Sequence, residues 1–526
     1  MAKFISAEEA AALIKDNMTV GIGGFGVFCV PDELLQAISK SYSSKKKPAN
    51  LTAVAGICPG DTTPSDRGLN ALKDDGLLSA VIAAHFGMTP VIRDAVGANK
   101  IAGYTIPLGI YGHLLKAIAG KKPGVLTAVG LHTFVDPRLE AACANQKAKD
   151  KGLKIVSLTS VGDKEYLMYH SFPIHACLIR GTYADEYGNI SFQREAIRSE
   201  QLEMATATKA SGGVVILQVD GVVKSNSIHA RDVAIHHKLV DYIVLSSPEN
   251  HKQGYDSEKY RPELTGDAIV SQSAMSPLPM SERKICARRS ALELKSGMLV
   301  NLGVGIPSSV SGVAREEGIA DKLTLSVESG LYGGLPIVGT GFGATVNPEC
   351  VSRATDVFDL YDSGLLNLAV LGIAEIDPQG NVNVSKFVGR VVGPGGFINI
   401  SQNTPIVCFV GTFTTGNLKI KASGGKLEIL EDGNGKKFMN KIEQVTFSAR
   451  MAKENKQTVF YITERAVFML GENGLELSEI APGVDLQKDV LDKMEFKPAI
   501  SKELKTMDSR IFEEGPMGLF EDWKKQ

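Results

Sequence analysis

The chain has 526 residues, too many for one hydrophobic core, so roughly two to four domains are expected. Lys+Arg total 57 against 59 for Asp+Glu, a formal charge of −2, which leaves no long-range field favouring nucleic acid or an anionic membrane. Any polyanionic ligand must therefore be held locally, and no apolar run reaches the ~18 residues of a membrane span.

The stretch from Met1 to Asn17, MAKFISAEEAAALIKDN, reads as a short amphipathic helix. It has neither the apolar core of a signal peptide nor the Arg/Ser bias of a transit peptide, so a cytoplasmic location is expected. Cys29, Cys58, Cys143, Cys177, Cys286, Cys350 and Cys408 are scattered and free of CxxC spacing, which implies reduced thiols and no zinc site.

Along the first half, apolar runs at 51–56, 78–86, 154–160 and 214–219 read as strands. Helices are expected at 31–43 and 111–119, giving a mostly parallel sheet with helices on its faces. The stretch 246–283 is polar, carries Pro248, Pro262, Pro277 and Pro279, and reads as a linker. Domains are thus expected at 1–245 and 284–526. In the second half the alternation continues to about residue 400. A strand-rich part follows, with runs at 405–411, 426–430, 444–447, 458–463 and 466–470 and a closing helix near 485–494.

The two halves repeat one plan. AALIKDNMTVGIG (11–23) and ALELKSGMLVNLG (291–303) share a helix, a lysine, a turn, Met-x-Val and a glycine-ended strand. Each strand runs into a glycine-rich turn, a proline and a helix: GGFGVFCVPDELLQAI in the first half, GVGIPSSVSGVAREEG in the second. A second echo pairs ADEYGNISF (184–192) with IDPQGNVNV (376–384), each an acidic turn closing on Gly-Asn and a short strand.

Three groups of residues bear on chemistry. GIGGFG (21–26) satisfies GxGxxG, but Phe28 to Val30 separate its last glycine from Pro31, where a helix would start. The next strand also ends on Ile57-Cys58-Pro59 where a dinucleotide site needs an acid. A tight turn remains, either structural or one that lets backbone approach another ligand. The nine histidines all precede residue 252, and His236-His237 reads as a surface pair and not a metal site. With no GxSxG elbow, serine hydrolysis has neither its nucleophile nor, in the second half, its base.

The third group is LTLSVESGLYGGLP (323–336). Thr324, Ser326 and Glu328 alternate with Leu325 and Val327, as in a strand that ends on a single carboxylate. In open α/β sheets ligands collect outside the carboxyl ends of strands, where Glu328 would stand. Glu328 taken alone is either reactive or a cap bonded to its own loop. The glycine turns at 303–307, 329–334, 339–343 and 393–396 offer backbone N–H groups able to hold an oxyanion. A carboxylate can attack an activated acyl group such as a thioester, and the tetrahedral oxyanion so formed needs such donors.

SVESGLYGGLP resembles the active-site signature of the family I CoA-transferases, in the single-chain branch of acetate and propionate CoA-transferases. GGFGVFCVP (23–31), RGTYADEYGNI (180–190), NVSKF (383–387), TERAVF (463–468) and APGVDL (481–486) resemble further hallmarks, so the similarity covers essentially the whole chain. The resemblance implies an α/β fold of two tandem related open domains of the NagB/RpiA-like type, with the active site between them. It implies ping-pong transfer of CoA from an acyl-CoA to a small carboxylic acid through a glutamyl-CoA thioester on Glu328. No metal and no permanently bound cofactor take part, and coenzyme A is a substrate. By motif, Gly303, Val304, Gly305, Ile306 and Pro307 match the CoA-contacting loop, joined by Gly395, and Gly396 matches a mobile glycine whose amide is an oxyanion donor. A homotetramer without nucleic-acid or membrane partners is implied. An acyl-CoA hydrolase using the same glutamate, or a non-catalytic CoA-binding protein, are the alternatives. Three positions depart from the pattern: Cys29 replaces a glycine, Leu108 replaces a glutamine that donates to the oxyanion, and YDSGLLN (361–367) replaces a glycine run with an aspartate. The last two point to an altered acyl pocket and a bulkier or aromatic acid.

Overall fold

A computed structural model describes residues 2–63, 65–254, 260–271 and 277–525. Within the expected linker, residues 255–259 and 272–276 lie outside the described part. The chain divides into two compact units, neither of them continuous in sequence. The first comprises Met1–Val270, Val327–Asp359 and Val388–Asn399, and the second Ser271–Ser326, Leu360–Phe387 and Ile400–Gln526.

The first unit is built on an eight-stranded sheet ordered Lys3–Phe4, Tyr242–Leu245, Val214–Val219, Ala176–Arg180, Thr19–Ile22, Leu51–Ile57, Leu78–His85, Ala102–Thr105. Every neighbouring pair is parallel. Such strands are covered on both faces, which is why Leu51–Ile57 and Val214–Val219 are nearly continuous apolar runs. The expected strand at 154–160 forms as Val156–Val161 but in a different sheet. It pairs antiparallel with Lys164–His170, and only Val156 in it is buried.

The N-terminal stretch contributes Lys3–Phe4 as a strand and Ala7–Leu13 as a helix. Ser6 and Glu9 close a reciprocal capping box that satisfies the helix's first amides. The next helix, Asp32–Lys45, follows Pro31 and stops where Lys46 turns left-handed at φ 54°.

The second unit carries parallel strands Thr324–Val327, Leu299–Leu302, Leu368–Gly372, Ile406–Val410 and Thr458–Ile462 in that order. The sheet continues antiparallel through Ala466–Gly471 and Gly474–Ile480, and Ala499–Thr506 closes its edge. Two sequence expectations need correction here, at 444–447 and near 485–494. The run at 444–447 is a loop, joined to Val382 by a bridge from Phe447, whose ring packs on Phe409 of the strand Ile406–Val410 at 4.7 Å. The run at 426–430 does form the expected strand, as Lys426–Glu431, in a separate hairpin with Lys419–Ser423. The stretch near 485–494 is one turn of π-helix, Leu486–Val490, and one of 3-10 helix, Leu491–Lys493; the helix at the end is Leu519–Lys525.

The internal echo has an atomic counterpart. In the first unit the Lys15 N–H donates to Met18 Sδ at 3.3 Å, and in the second the Lys295 N–H donates to Met298 Sδ, also at 3.3 Å. The second echo repeats as well. Asn189 Nδ2 donates to Asp185 Oδ2 at 3.0 Å and Asn381 Nδ2 to Asp377 Oδ2 at 2.7 Å, each across a glycine with positive φ. Among the described residues no helix is long and apolar enough to cross a membrane.

Candidate active site

Glu328 follows directly on the strand Thr324–Val327, at the carboxyl end of a parallel sheet. Its residue is 8% exposed, so the carboxylate is largely withdrawn from water while some access remains. The turn that carries it is fixed on both sides. Gly330 N–H donates back to Val327 O at 3.0 Å, and the fully buried Ser329 donates its hydroxyl to Gly343 O at 2.6 Å. Gly330 itself stands at φ 114°, and a Cβ there would lie 2.5 Å from Ser352 O. Only glycine fits this crowded backbone.

Downstream, Leu331–Tyr332 pairs antiparallel with Cys350–Val351, and Ser352 N–H donates to Gly330 O at 2.8 Å. Gly343, between them in sequence, packs as closely: a Cβ there would lie 2.5 Å from the ring of Phe25, within the GIGGFG turn. That turn is closed by reciprocal amide bonds of 3.0 Å between Phe25 and Phe28, and the following helix begins only at Asp32. Cys29, the departure from glycine, adopts φ 57° and so keeps the glycine-like backbone. Burial beside Glu195 pushes its thiol well up, which keeps it protonated and inert.

Gly395 and Gly396 belong to the same unit as Glu328. Their loop is laced to the end of the strand Leu78–His85: Phe86 N–H donates to Val392 O at 2.7 Å and Gly395 N–H to Ala84 O at 2.9 Å. Leu108 opens the helix Leu108–Ala119, and its own amide donates to Gly395 O at 2.9 Å. Asn399 Oδ1 accepts from the next amide, Gly109 N–H, at 3.1 Å. The Leu108 side chain is fully buried and sits within 3.0 Å of where a Cβ on Gly56 would be. Leu108 therefore supports the glycine loop through its backbone and brings no side-chain donor.

Gly303, Val304, Gly305, Ile306 and Pro307 lie in the second unit, at the carboxyl end of Leu299–Leu302. Gly303 N–H donates to Val370 O at 2.8 Å, Gly305 turns at φ 90° in open space, and Ser308 Oγ ties back to Gly305 O at 2.7 Å. Val304 is exposed at the tip. The loop leads into the helix Ser309–Glu316.

Sequence reading missed a buried acidic pair on the helix Gln201–Ala210, Glu200 at its N-cap and Glu203 in its first turn. Charged residues at a helix start look solvated in sequence. Here Gly21 and Gly23 let Met204 and Gln201 press onto the sheet, which draws both acids inside. Burial pushes Glu200 up to about 7, with the charge of Glu203 adding to it against a hydrogen bond from Ser199. The unfolded chain releases this proton near the ordinary 4.5, so between pH ~4.5 and ~7 stability falls as pH rises, by up to about 1.4 kcal/mol per unit. Glu200→Gln is expected to flatten that slope and to raise the melting temperature at pH 8 more than at pH 5, as read by thermal scans at both values.

Among the described residues no group of three or more His, Cys, Asp or Glu is placed to hold a metal ion. The rings of His236 and His237, neighbours in sequence, lie 4.2 Å apart and tilted by 37°.

A caffeate CoA-transferase of Acetobacterium woodii is 44% identical to this chain over 524 residues, 99% of each protein. The chain belongs to the coenzyme A transferase family. A family model described as coenzyme A transferase matches residues 4–246. An acetate CoA-transferase, YdiF, of Escherichia coli O157:H7 is 40% identical over 515 residues, 98% of this chain and 96% of that one. A crystal structure of the E. coli O157:H7 acyl-CoA transferase YdiF, a thioester complex with CoA, superposes with a TM-score of 0.92 at 38% identity, covering 98% of this CoA-transferase and 97% of that chain. The α/β architecture of both units is that of the family.

Proposed function

We propose that this CoA-transferase moves CoA from an acyl-CoA to a free carboxylic acid by ping-pong exchange on Glu328. The observation that carries this reading is the buried strand-end carboxylate in a turn clasped by glycine, in a chain alike over its whole length to a transferase crystallised as a thioester with CoA. A Glu328 oxygen attacks the acyl carbonyl, the C–S bond breaks, and CoA thiolate leaves a mixed anhydride. The thiolate attacks the glutamyl carbonyl, forming a new C–S bond and expelling the first carboxylate. The incoming acid attacks that thioester, releases thiolate, and forms a second anhydride. Thiolate then attacks the new acyl carbon, which restores Glu328 and releases the new acyl-CoA. No step calls for a histidine.

Gly396 is proposed as an amide donor to the tetrahedral oxyanions. The Gly303 to Pro307 loop, with Gly395, is proposed to hold CoA, whose remote binding energy offsets the high energy of the anhydride. A missing oxyanion donor typically costs about 3 kcal/mol, so with Leu108 silent another group supplies it or turnover is slower. We assign the duplicated halves to 1–245 and 284–526, a homotetrameric assembly and a cytoplasmic location; sedimentation of the purified protein tests the assembly.

Incubation with an acyl-CoA followed by intact-mass analysis tests the chemistry. A CoA adduct sensitive to hydroxylamine and borohydride is expected, and an unmodified wild type overturns the reading. Thiol release that does not depend on an acceptor acid would instead identify a hydrolase. For the acid, Ser363, Leu365 and Asn367 in place of the family's glycines and aspartate, and the caffeate specificity in a relative's name, favour a bulky or aromatic carboxylate. Steady-state rates on a panel from acetate to cinnamate-type acids are expected to favour the larger ones, and an acetate-only profile would end this assignment.

A further inference from the structure

On the reading that Glu328 is the nucleophile, we propose that Arg353, anchored on the buried carboxylate of Glu203, is a positioning residue that holds the Glu328 turn in its attacking geometry. The observations lie within the first unit. Directly behind the turn, Ser352 N–H donates to Gly330 O at 2.8 Å, and the Arg353 carbonyl carbon lies 2.8 Å from where a Cβ on Gly330 would be. The backbone at 352–353 is thus the floor on which residues 328–330 rest.

That floor is held by its own side chains and by one from a distant helix, Glu203. Arg353 grips Asp356 through Nε at 3.2 Å and Nη2 at 2.8 Å, and reaches Glu203 Oε1 through Nη1 at 3.3 Å. Thr355 Oγ1 donates to the same Glu203 oxygen at 3.1 Å. Glu203 is itself held, because its helix is docked on the central strand. A Cβ on Gly21 would lie 2.1 Å from Met204 Sδ, and Gln201 bonds the backbone of both Cys29 and Arg180. A continuous chain therefore runs from the rigid parallel sheet through Glu203 and Arg353 to the turn of Glu328.

A planar guanidinium with several fixed donors suits such a bracket, since one side chain spans both carboxylates. Reaction geometry is sensitive to displacements of about 1 Å, which cost on the order of 100-fold in rate. Removing the bracket should slow attack by Glu328 without weakening the binding of CoA, which falls to the Gly303 to Pro307 loop of the other unit and to Gly395.

The test is single-turnover formation of the CoA adduct, followed by mass, in Arg353→Met, Glu203→Met and Glu203→Gln. Arg353→Met and Glu203→Met are expected to lower the adduct rate and kcat about 10- to 100-fold while KM for acyl-CoA stays within about 2-fold. Glu203→Gln keeps the Oε1 acceptor and is expected to stay within about 3-fold of wild type, a recovery that a requirement for bulk alone would not separate from Glu203→Met. Should Arg353→Met fail to fold, Arg353→Lys, which loses the fork on Asp356, carries the test with an expected loss of roughly 5- to 10-fold. An adduct rate within 2-fold of wild type in the folded Arg353 variant, or a change confined to KM, overturns the proposal. Absence of any adduct in the wild type would instead remove the nucleophile reading on which the proposal rests.

Discussion

Glu328→Gln is expected to abolish CoA transfer, lowering kcat by about 10⁴-fold or more, with no CoA adduct detectable by mass. The amide is nearly isosteric with the carboxylate and fits the same largely buried position, so folding and the affinity for acyl-CoA should persist. An amide oxygen is not a nucleophile towards a thioester at neutral pH, and no neighbouring histidine in the second half of the chain can substitute for it. Glu328→Asp offers a finer measurement. It keeps the charge but withdraws the oxygens by one methylene, so adduct formation should survive at a rate roughly 100-fold lower. Dialysis binding of acyl-CoA alongside stopped-flow rates separates the effects, and a Gln variant that still turned over would place the nucleophile elsewhere.

Gly330→Ala should be nearly as damaging by another route. The added Cβ would lie 2.5 Å from Ser352 O, 2.8 Å from the Arg353 carbonyl carbon and 3.0 Å from Ala354 N, all backbone atoms that cannot swing aside. To this is added a φ of 114°, which L-residues rarely adopt. Overpacking of this kind costs about 1–3 kcal/mol and left-handed strain about 1–2 kcal/mol, so a loss of roughly 3 kcal/mol is expected in urea unfolding. Because relaxation must move either the floor or the turn of Glu328, activity should fall below about 1% even in the folded fraction. Gly318→Ala is the control. Its φ is 69° but open space surrounds it, so only the strain should register.

What the sequence disclosed and what it concealed follow from how local each determinant is. Glu328 was legible because strand, carboxylate and glycine are contiguous, and their pattern suffices to place the group at a strand end. The parallel strands at 51–57 and 214–219 were legible because burial on both faces demands unbroken apolar runs. The strand at 156–161 shows the limit. Its residues favour extended backbone, but nothing local tells which sheet receives it. At 444–447 the same alternation of apolar and polar residues proved to be a loop, with Phe447 buried and Thr446 serving as acceptor for Val384 N–H and as partner of Ser385. The edge strand Ala499–Thr506 escaped because its face is exposed and charged, which removes the apolar signal altogether. Glu203 and Arg353 are about 150 residues apart, so their pairing is a product of the fold alone.

The discontinuous make-up of the first unit bears on how the protein is born. Its last segment, Val388–Asn399, supplies the Gly395 oxygen to Leu108 N–H and the Asn399 oxygen to Gly109 N–H, and its middle segment supplies the partner of Glu203. While a ribosome has delivered only the first 270 residues, the helix at 108–119 lacks both acceptors and a buried carboxylate lacks its cation. At a synthesis rate of about 5–20 residues per second, the missing pieces arrive on the order of ten seconds later. The nascent N-terminal half must therefore wait, with its sheet assembled and one flank unfinished, until the first strands of its sister unit, Leu299–Leu302, Thr324–Val327 and Leu368–Gly372, have been made.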